Sequence, residues 1–310
     1  MKNILIHPHS PFNNEEGGIV VQYNLAQLLE HRGYTVRMYP SRGHFPDCHI
    51  FNKFYDNDFP IDDNCVVIYC EGIQGNPLNA KYIVRWMLSE LGQNVPYDWV
   101  HGWGKNELVY HFNTEIKFKN HPEKVGNIYK TLTTIYVPKQ IQNRQEPNRS
   151  GWCHTFRKTQ IHKTNWIPVL HPPNSLEFHH YSHSTKMDSV VDIFNKREYF
   201  VSYDPLTFLS CIAPLCGCVS IVLPIKGKNK LEWLYMTAFA EYMEYKQIDY
   251  IYGIAYGMDE FEWAKNTLHL FKEQLEDILS YYKEKHITGL IRDIHNFESA
   301  QNTIQNVYFS

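Results

Sequence analysis

The chain has 310 residues, long for one hydrophobic core and comfortable for two. Hydrophobic residues make up 43% and the formal net charge is −3, which gives no case for nucleic acid or an acidic membrane as partner. No apolar run reaches the length of a membrane span, the apolar stretch at the N-terminus is too short for a signal peptide, and the seven cysteines lack a CxxC pair. The expectation is a chain without a membrane span, in a reducing cytoplasm.

In chain order, Asn3 to His7 reads as a first strand and Pro8 to Glu16 as a polar loop. Gly17 and Gly18 then open an amphipathic helix carrying Val20, Val21, Leu25, Leu28 and Leu29, which Gly33 ends. Tyr34 to Tyr39 is the next strand. The glycine pair sits late, at the helix start, and no GxGxxG is present. That spacing argues against a dinucleotide fingerprint and lets backbone approach a ligand closely. Asp56-Asn57-Asp58 reads as solvated loop rather than as a metal-holding DxD string. Cys65 to Cys70 is a buried strand whose tip carries Glu71, Gly72 and Asn76, either a polar cluster for a cleft or plain turn chemistry. The spacing of Ile83, Val84, Trp86, Met87 and Leu91 predicts a helix, with Arg85 on it. Strands are expected at 108–112 and 132–137. Asn143 to Ser150 is polar, holds one proline, and reads as the linker between two domains.

The second half opens with a strand at 152–156, followed at once by Arg157 and Lys158. A planar guanidinium beside a point charge suits a diphosphate; an exposed basic turn is the plain alternative. His179, His180 and His183 lack a partner at ligand spacing, so no metal is assigned to them. Val190, Val191, Ile193 and Phe194 make a short helix. From 198 to 224 the pattern is strand, loop, helix, glycine turn, strand. Tyr199 to Val201 is the first strand and Ser202 to Pro205 breaks it. Leu206, Leu209, Ala213 and Cys216 fall at helical spacing, Gly217 ends the helix, and Cys218 to Leu223 is the second strand. Thr207 and the amides of that helix start would stand at the carboxyl edge of a strand, where a phosphate is held; a buried, capped βαβ core is the alternative. Residues 231–245 read as a helix, 251–257 as a small-residue loop, and Asp259 as the cap of a long helix reaching about Lys285. The fold class expected is α/β.

Three stretches carry a family resemblance. NILIHPHSPFNNEEGGIVVQYNLAQLLEHRGYTVRMYP resembles the first βαβ of GT-B glycosyltransferases, late glycine pair included. SYDPLTFLSCIAPLCGCVSIVLP resembles the donor-domain unit of that group, and YCEGIQGNPLNAKYIVRWML is similar to a segment of its bacterial and large-DNA-virus members. The resemblance implies two Rossmann-like domains facing across a cleft. Residues 1–148 would form the acceptor side, 149–285 would bind a nucleotide sugar, and 286–310 would pack back on the first domain. It implies transfer of a hexosyl or pentosyl group from a nucleoside-diphosphate sugar to a hydroxyl of a glycan or glycolipid. No cofactor and no essential metal are then expected. Gly17 and Gly18 would lie by the donor phosphates, Arg157 and Lys158 would hold the diphosphate, and Tyr203, Asp204, Pro205, Leu206 and Thr207 would border the donor. Glu71, Gly72 and Asn76 would face the cleft from the acceptor side, with Glu71 the first choice of base and His9 or His7 the second. Many retaining members carry a pair of glutamates, one in this loop and one in the helix; here Asp204 and Ile212 stand instead, which leaves retaining and inverting chemistry both open. A non-catalytic nucleotide-sugar-binding module and a nucleotide-sugar epimerase of the same fold are the alternatives. The expected location is the cytoplasm, the host's for a viral chain, and a homodimer is compatible with all of this.

Overall fold

A computed structural model of the chain describes residues 3–10, 12, 16–39, 54, 59–104, 107–119, 130–156, 168–178 and 186–296. It is an α/β protein of two compact units, Met1–Tyr136 with Leu279–Ser310, and Val137–Ile278. The Asp56-Asn57-Asp58 string, Arg157, Lys158 and the histidines at 179, 180 and 183 lie outside the described residues. Among the described residues no helix is long and apolar enough to cross a membrane.

The first unit is built on a parallel sheet. Its strands are β1 (Asn3–His7), β2 (Thr35–Met38), β3 (Cys65–Cys70), β4 (Tyr82–Met87), β5 (Leu108–His111) and β6 (Lys130–Thr131), in the order β2-β1-β3-β4-β5-β6. Helix α1 (Gly17–Glu30) joins β1 to β2, and α2 (Thr114–Lys119) joins β5 to β6. A parallel sheet must bury both faces. Every residue of β3 and β4 is accordingly buried. On one face Ile4, Ile6, Val66, Ile68, Val84 and Trp86 pack with Ile19, Tyr23 and Leu29 of α1 and with Ile287, Leu290 and Ile294 from the end of the chain. Each of those three late residues is fully buried, worth about 1.5–3 kcal/mol apiece. The Asp293 carboxylate accepts from the Tyr110 hydroxyl and from Lys130 Nζ, both at 2.5 Å.

The expected helix over 83–91 is a strand, β4. Its apolar residues fit a helical face, but they are also a continuous run broken only by Arg85. A central strand buried on both faces produces that run. The strand expected at 132–137 does not form; the strand here, β6, lies just before it at Lys130–Thr131.

His111, the last residue of β5, is fully buried, and neither ring nitrogen has a partner among the described residues. Burial, with Lys117 as the lesser cause, pushes its pKa down to about 4. The unfolded chain, titrating near 6.5, binds a proton between those two values that the folded chain does not. Stability contributed above pH 6.5 is therefore lost as pH falls toward 4, by about 3 kcal/mol. His111→Phe keeps the volume and removes the proton. Denaturant unfolding at pH 7.5 and pH 4.5 should show the variant losing markedly less stability than the wild type.

The second unit repeats the plan. Strands β7 (Trp152–Thr155), β8 (Leu176–Glu177), β9 (Tyr199–Ser202), β10 (Val219–Val222) and β11 (Ile254–Tyr256) form a parallel sheet in the order β11-β10-β9-β7-β8. Helix α3 (Met187–Lys196) leads into β9, α4 (Leu209–Leu215) joins β9 to β10, and α5 (Lys230–Met236), α6 (Ala240–Lys246) and α7 (Phe261–Thr267) follow. The strand–helix–strand unit at 198–224 is present. Gly217 ends its helix at φ +82, and a Cβ there would fall 2.6 Å from Asn143 Nδ2. Two expectations are corrected. The 231–245 helix breaks at Thr237, whose hydroxyl donates to Leu234 O, and β11 lies in the stretch read as loop. The long helix from Asp259 is also interrupted: α7 gives way to a short 3-10 turn before α8 (Phe271–Tyr282), which passes through a π turn into further helix ending at residue 296.

The polar 143–150 segment is not a linker. Arg149 donates to the carbonyls of Phe194, Arg197 and Cys216, Arg144 pairs with Asp192, and Asn195 Oδ1 accepts from the Arg144 amide. These bonds hold the segment within the second unit, which begins at Val137. Its lack of apolar residues reflects anchoring by arginine and asparagine rather than freedom.

Candidate functional site

In both sheets the chain turns to one side after the first strand and returns on the other side for the third. This reversal falls between β1 and β3 in the first unit and between β7 and β9 in the second. Open α/β sheets bind ligands at the carboxyl edge of such a switch point.

At the first switch point His9 follows β1, and Glu71 with Gly72 follow β3. His9 is exposed; its Nδ1 lies 3.8 Å from Cys70 Sγ and its Nε2 3.5 Å from Glu16 Oε2. Burial, and secondarily Glu71, pushes the Cys70 thiol up to about 12, so the sulfur stays protonated. A Cβ on residue 72 would come 2.7 Å from the His9 Cβ, so glycine is required there for His9 to take its seat. His7 is turned inward between Tyr39 and Tyr69, at ring distances of 4.8 and 5.7 Å, and burial lowers its pKa. Of the two histidines, His9 is the one presented to solvent.

Glu71 is committed to structure. Its Oε2 accepts from the Leu88 amide at 2.9 Å and its Oε1 from the Ser89 hydroxyl at 2.6 Å. It therefore ties the β3 tip to the loop after β4. Asn76 is committed too. Its Oδ1 accepts from the Tyr69 hydroxyl and the Ala80 amide, and its Nδ2 donates to Ala80 O. The side chain closes its own turn, which is the plain reading of that residue.

Gly17 and Gly18 form the first turn of α1. Glu16, the residue before it, makes no side-chain cap bond, and the first turn holds no acidic residue. Glu16 O accepts from Ile19 and Val20, and among the described residues the Gly17 and Gly18 amides donate to no acceptor. A Cβ on Gly18 would lie 3.6 Å from Leu88 Cδ1, so this helix start stands by the loop that Glu71 holds. A helix N-terminus with open amides favours an anion.

At the second switch point Phe156 follows β7, with Arg157 and Lys158 next in sequence, and Tyr203 to Thr207 follow β9. Tyr203 is buried; its oxygen accepts from the Leu170 amide at 2.9 Å and lies 2.6 Å from His171 Nδ1. Asp204 Oδ1 accepts from the Leu206 amide, Pro205 O accepts from Trp233 Nε1, and Leu206 is 46% exposed. The expectation that Thr207 delivers open helix-start amides is corrected. Helix α4 begins at Leu209, whose amide donates to Thr207 Oγ1, while the Ser210 amide donates to Thr207 O and the Thr207 amide to Asp204 O. The amides of Thr207, Leu209 and Ser210 are thus taken up within the loop and helix start and are not open to a phosphate.

No protein-family model matches the chain, and no curated protein is significantly similar to it.

Sequence reasoning missed Glu16, Ser89, His154 and His171. Ser89 was hidden by the helical reading of 83–91. Glu16 had one local signal, an acidic residue directly before an uncapped helix start.

Proposed function

We propose that the chain is a glycosyltransferase of the GT-B type, moving a sugar from a nucleoside-diphosphate sugar to a hydroxyl of a glycan or glycolipid. The observation that carries this is the doubled switch point. Two parallel sheets of the same order each bring polar residues singled out in the sequence to their carboxyl edge. A two-substrate transfer needs two such edges, one for donor and one for acceptor.

In this reading the second unit binds the donor. Arg157 and Lys158 neutralise the charge that grows on the leaving diphosphate. Nothing in this step calls for a metal ion. On the acceptor side His9 is the base. With its proton on Nδ1, directed at the Cys70 sulfur, Nε2 takes the proton of the incoming hydroxyl, and Glu16 then offsets the imidazolium charge. Glu71 acts indirectly, holding the loop beside Gly18. A non-catalytic nucleotide-sugar-binding module draws support from one observation: Glu71 and Asn76 are both consumed by structural bonds.

Arg157→Ala tests the donor side. Calorimetry should show nucleoside-diphosphate affinity weakened by about 1.5–3 kcal/mol, the scale of a bond to a charged group. Unchanged affinity removes Arg157 from the site.

A further inference from the structure

Tyr203 starts the loop after β9, and it is gripped from several sides. Phe156 stacks on its ring at 4.4 Å and 18°. Its oxygen accepts from the Leu170 amide, and His171 Nδ1 stands 2.6 Å away. The His171 ring in turn lies flat on that of His154, with centroids 3.6 Å apart and planes 11° from parallel. His154, 4% exposed on β7, has its Nδ1 2.9 Å from Ser175 Oγ and its Nε2 3.9 Å from Glu177 Oε2. The cluster thus ties β7, the 168–178 segment and β9 together at the switch point.

The Leu170 amide donates to the Tyr203 oxygen. With His171 Nδ1 unprotonated, the phenol gives its own proton to that nitrogen across 2.6 Å. Protonating Nδ1 removes this acceptor. It also places a charge on a ring in face contact with a second imidazole, where like charges disfavour one another.

We propose that His171 is a positioning residue that holds Tyr203, and through it the loop to Thr207, in place, and that the His154–His171 stack makes this hold depend on uncharged rings. The loop is set at neutral pH and released on the acid side. Burial keeps the His171 pKa below its usual value, with Glu177 the opposing cause. Among the described residues the titratable groups at the pair are Glu177 from β8, Tyr203 from the loop after β9 and the two rings themselves. The consequence for ligand binding rests on the reading of this edge as a diphosphate site.

Two readouts on the full chain test it. The first needs no ligand: the His171 ring is titrated by NMR in wild type and in Tyr203→Phe. Its midpoint should lie below that of an ordinary histidine and rise when the phenol is removed. An ordinary midpoint that Tyr203→Phe leaves unmoved overturns the proposal, whether or not the chain binds nucleotides. The second is the affinity for UDP, GDP, CDP, TDP and ADP from pH 8 to pH 5. Wild type should lose about tenfold or more beyond what the nucleotide's own protonation explains. His171→Asn, an acceptor that cannot charge, should bind as well and lose less, and His171→Phe should bind weakly at every pH. Equal acid loss in wild type and His171→Asn overturns it. Absence of binding by wild type at all pH values counts against the diphosphate site, and the NMR titration then decides the positioning proposal.

Discussion

If the proposed reading holds, a chain with His9 replaced by alanine should transfer sugar about 10²–10⁴-fold more slowly than wild type and bind nucleoside diphosphates equally well. The size follows from removing a general base, and the unchanged binding follows from its position. His9 stands at the first switch point, whereas the donor diphosphate is assigned to the second unit. Its ring is exposed, Glu16 lies 3.5 Å from Nε2, and Gly72 leaves the space it occupies. Glu71→Gln should behave differently. The amide replaces one acceptor by a donor against the Leu88 amide or the Ser89 hydroxyl, so the loop is weakened by about 1–3 kcal/mol and loss of transfer accompanies loss of stability. Initial rates, diphosphate titration and melting curves for the two variants separate a base from a strut. Full transfer by His9→Ala would exclude the histidine.

Glu107→Ala destabilises the first unit by about 3–5 kcal/mol, the cost of stranding one member of a buried ion pair. Arg85 is fully buried on β4. Its Nε donates to Glu107 Oε2 at 2.6 Å and its Nη2 to Oε1 at 3.3 Å. The guanidinium lies over the rings of Tyr69 and Trp103, at 4.9 and 5.2 Å. Glu107 also accepts from the Gly104 amide. Without the carboxylate, Arg85 keeps its charge at a fully buried position with no counter-ion from Glu107. Replacing both, Arg85→Met with Glu107→Leu, should recover most of the loss, since the desolvation cost of both charges goes with the pair. Guanidinium unfolding that resolves the two units should show the change in the first transition only. A single variant as stable as wild type would mean that the pair contributes nothing.

How much of this the sequence could tell depends on where each signal resides. Strands β1, β3, β5, β7, β9 and β10 are apolar runs cut off by polar or proline breaks, and each was legible locally. Gly217 was legible as a helix end because only glycine takes its φ of +82 cheaply. Strand β4 was not, because a run buried on both faces satisfies the helical and strand patterns at once. That error concealed Ser89 and the Leu88 amide as partners of Glu71, and it put Arg85 on a helix surface rather than opposite Glu107. The stack of His154 on His171 depends on the 168–178 segment returning beside β7, a tertiary fact with no local trace. Positions were easier to read than roles. The polar tips of β1, β3 and β9 were found, but Asn76 and Thr207 prove to spend polar atoms on their own loops, and Tyr203 on the 168–178 segment.

The central claim, a nucleoside-diphosphate-sugar enzyme, is tested most directly by melting the full chain with UDP, GDP, CDP, TDP, ADP and NAD in turn. A ligand at 100 times its dissociation constant adds about 2.7 kcal/mol of stability, an easily visible shift. Stabilisation by one nucleoside diphosphate, absent with NAD, is the expected result and names the base of the donor. Stabilisation by none of them, or by NAD alone, would contradict the claim and leave the doubled switch point as architecture without that ligand.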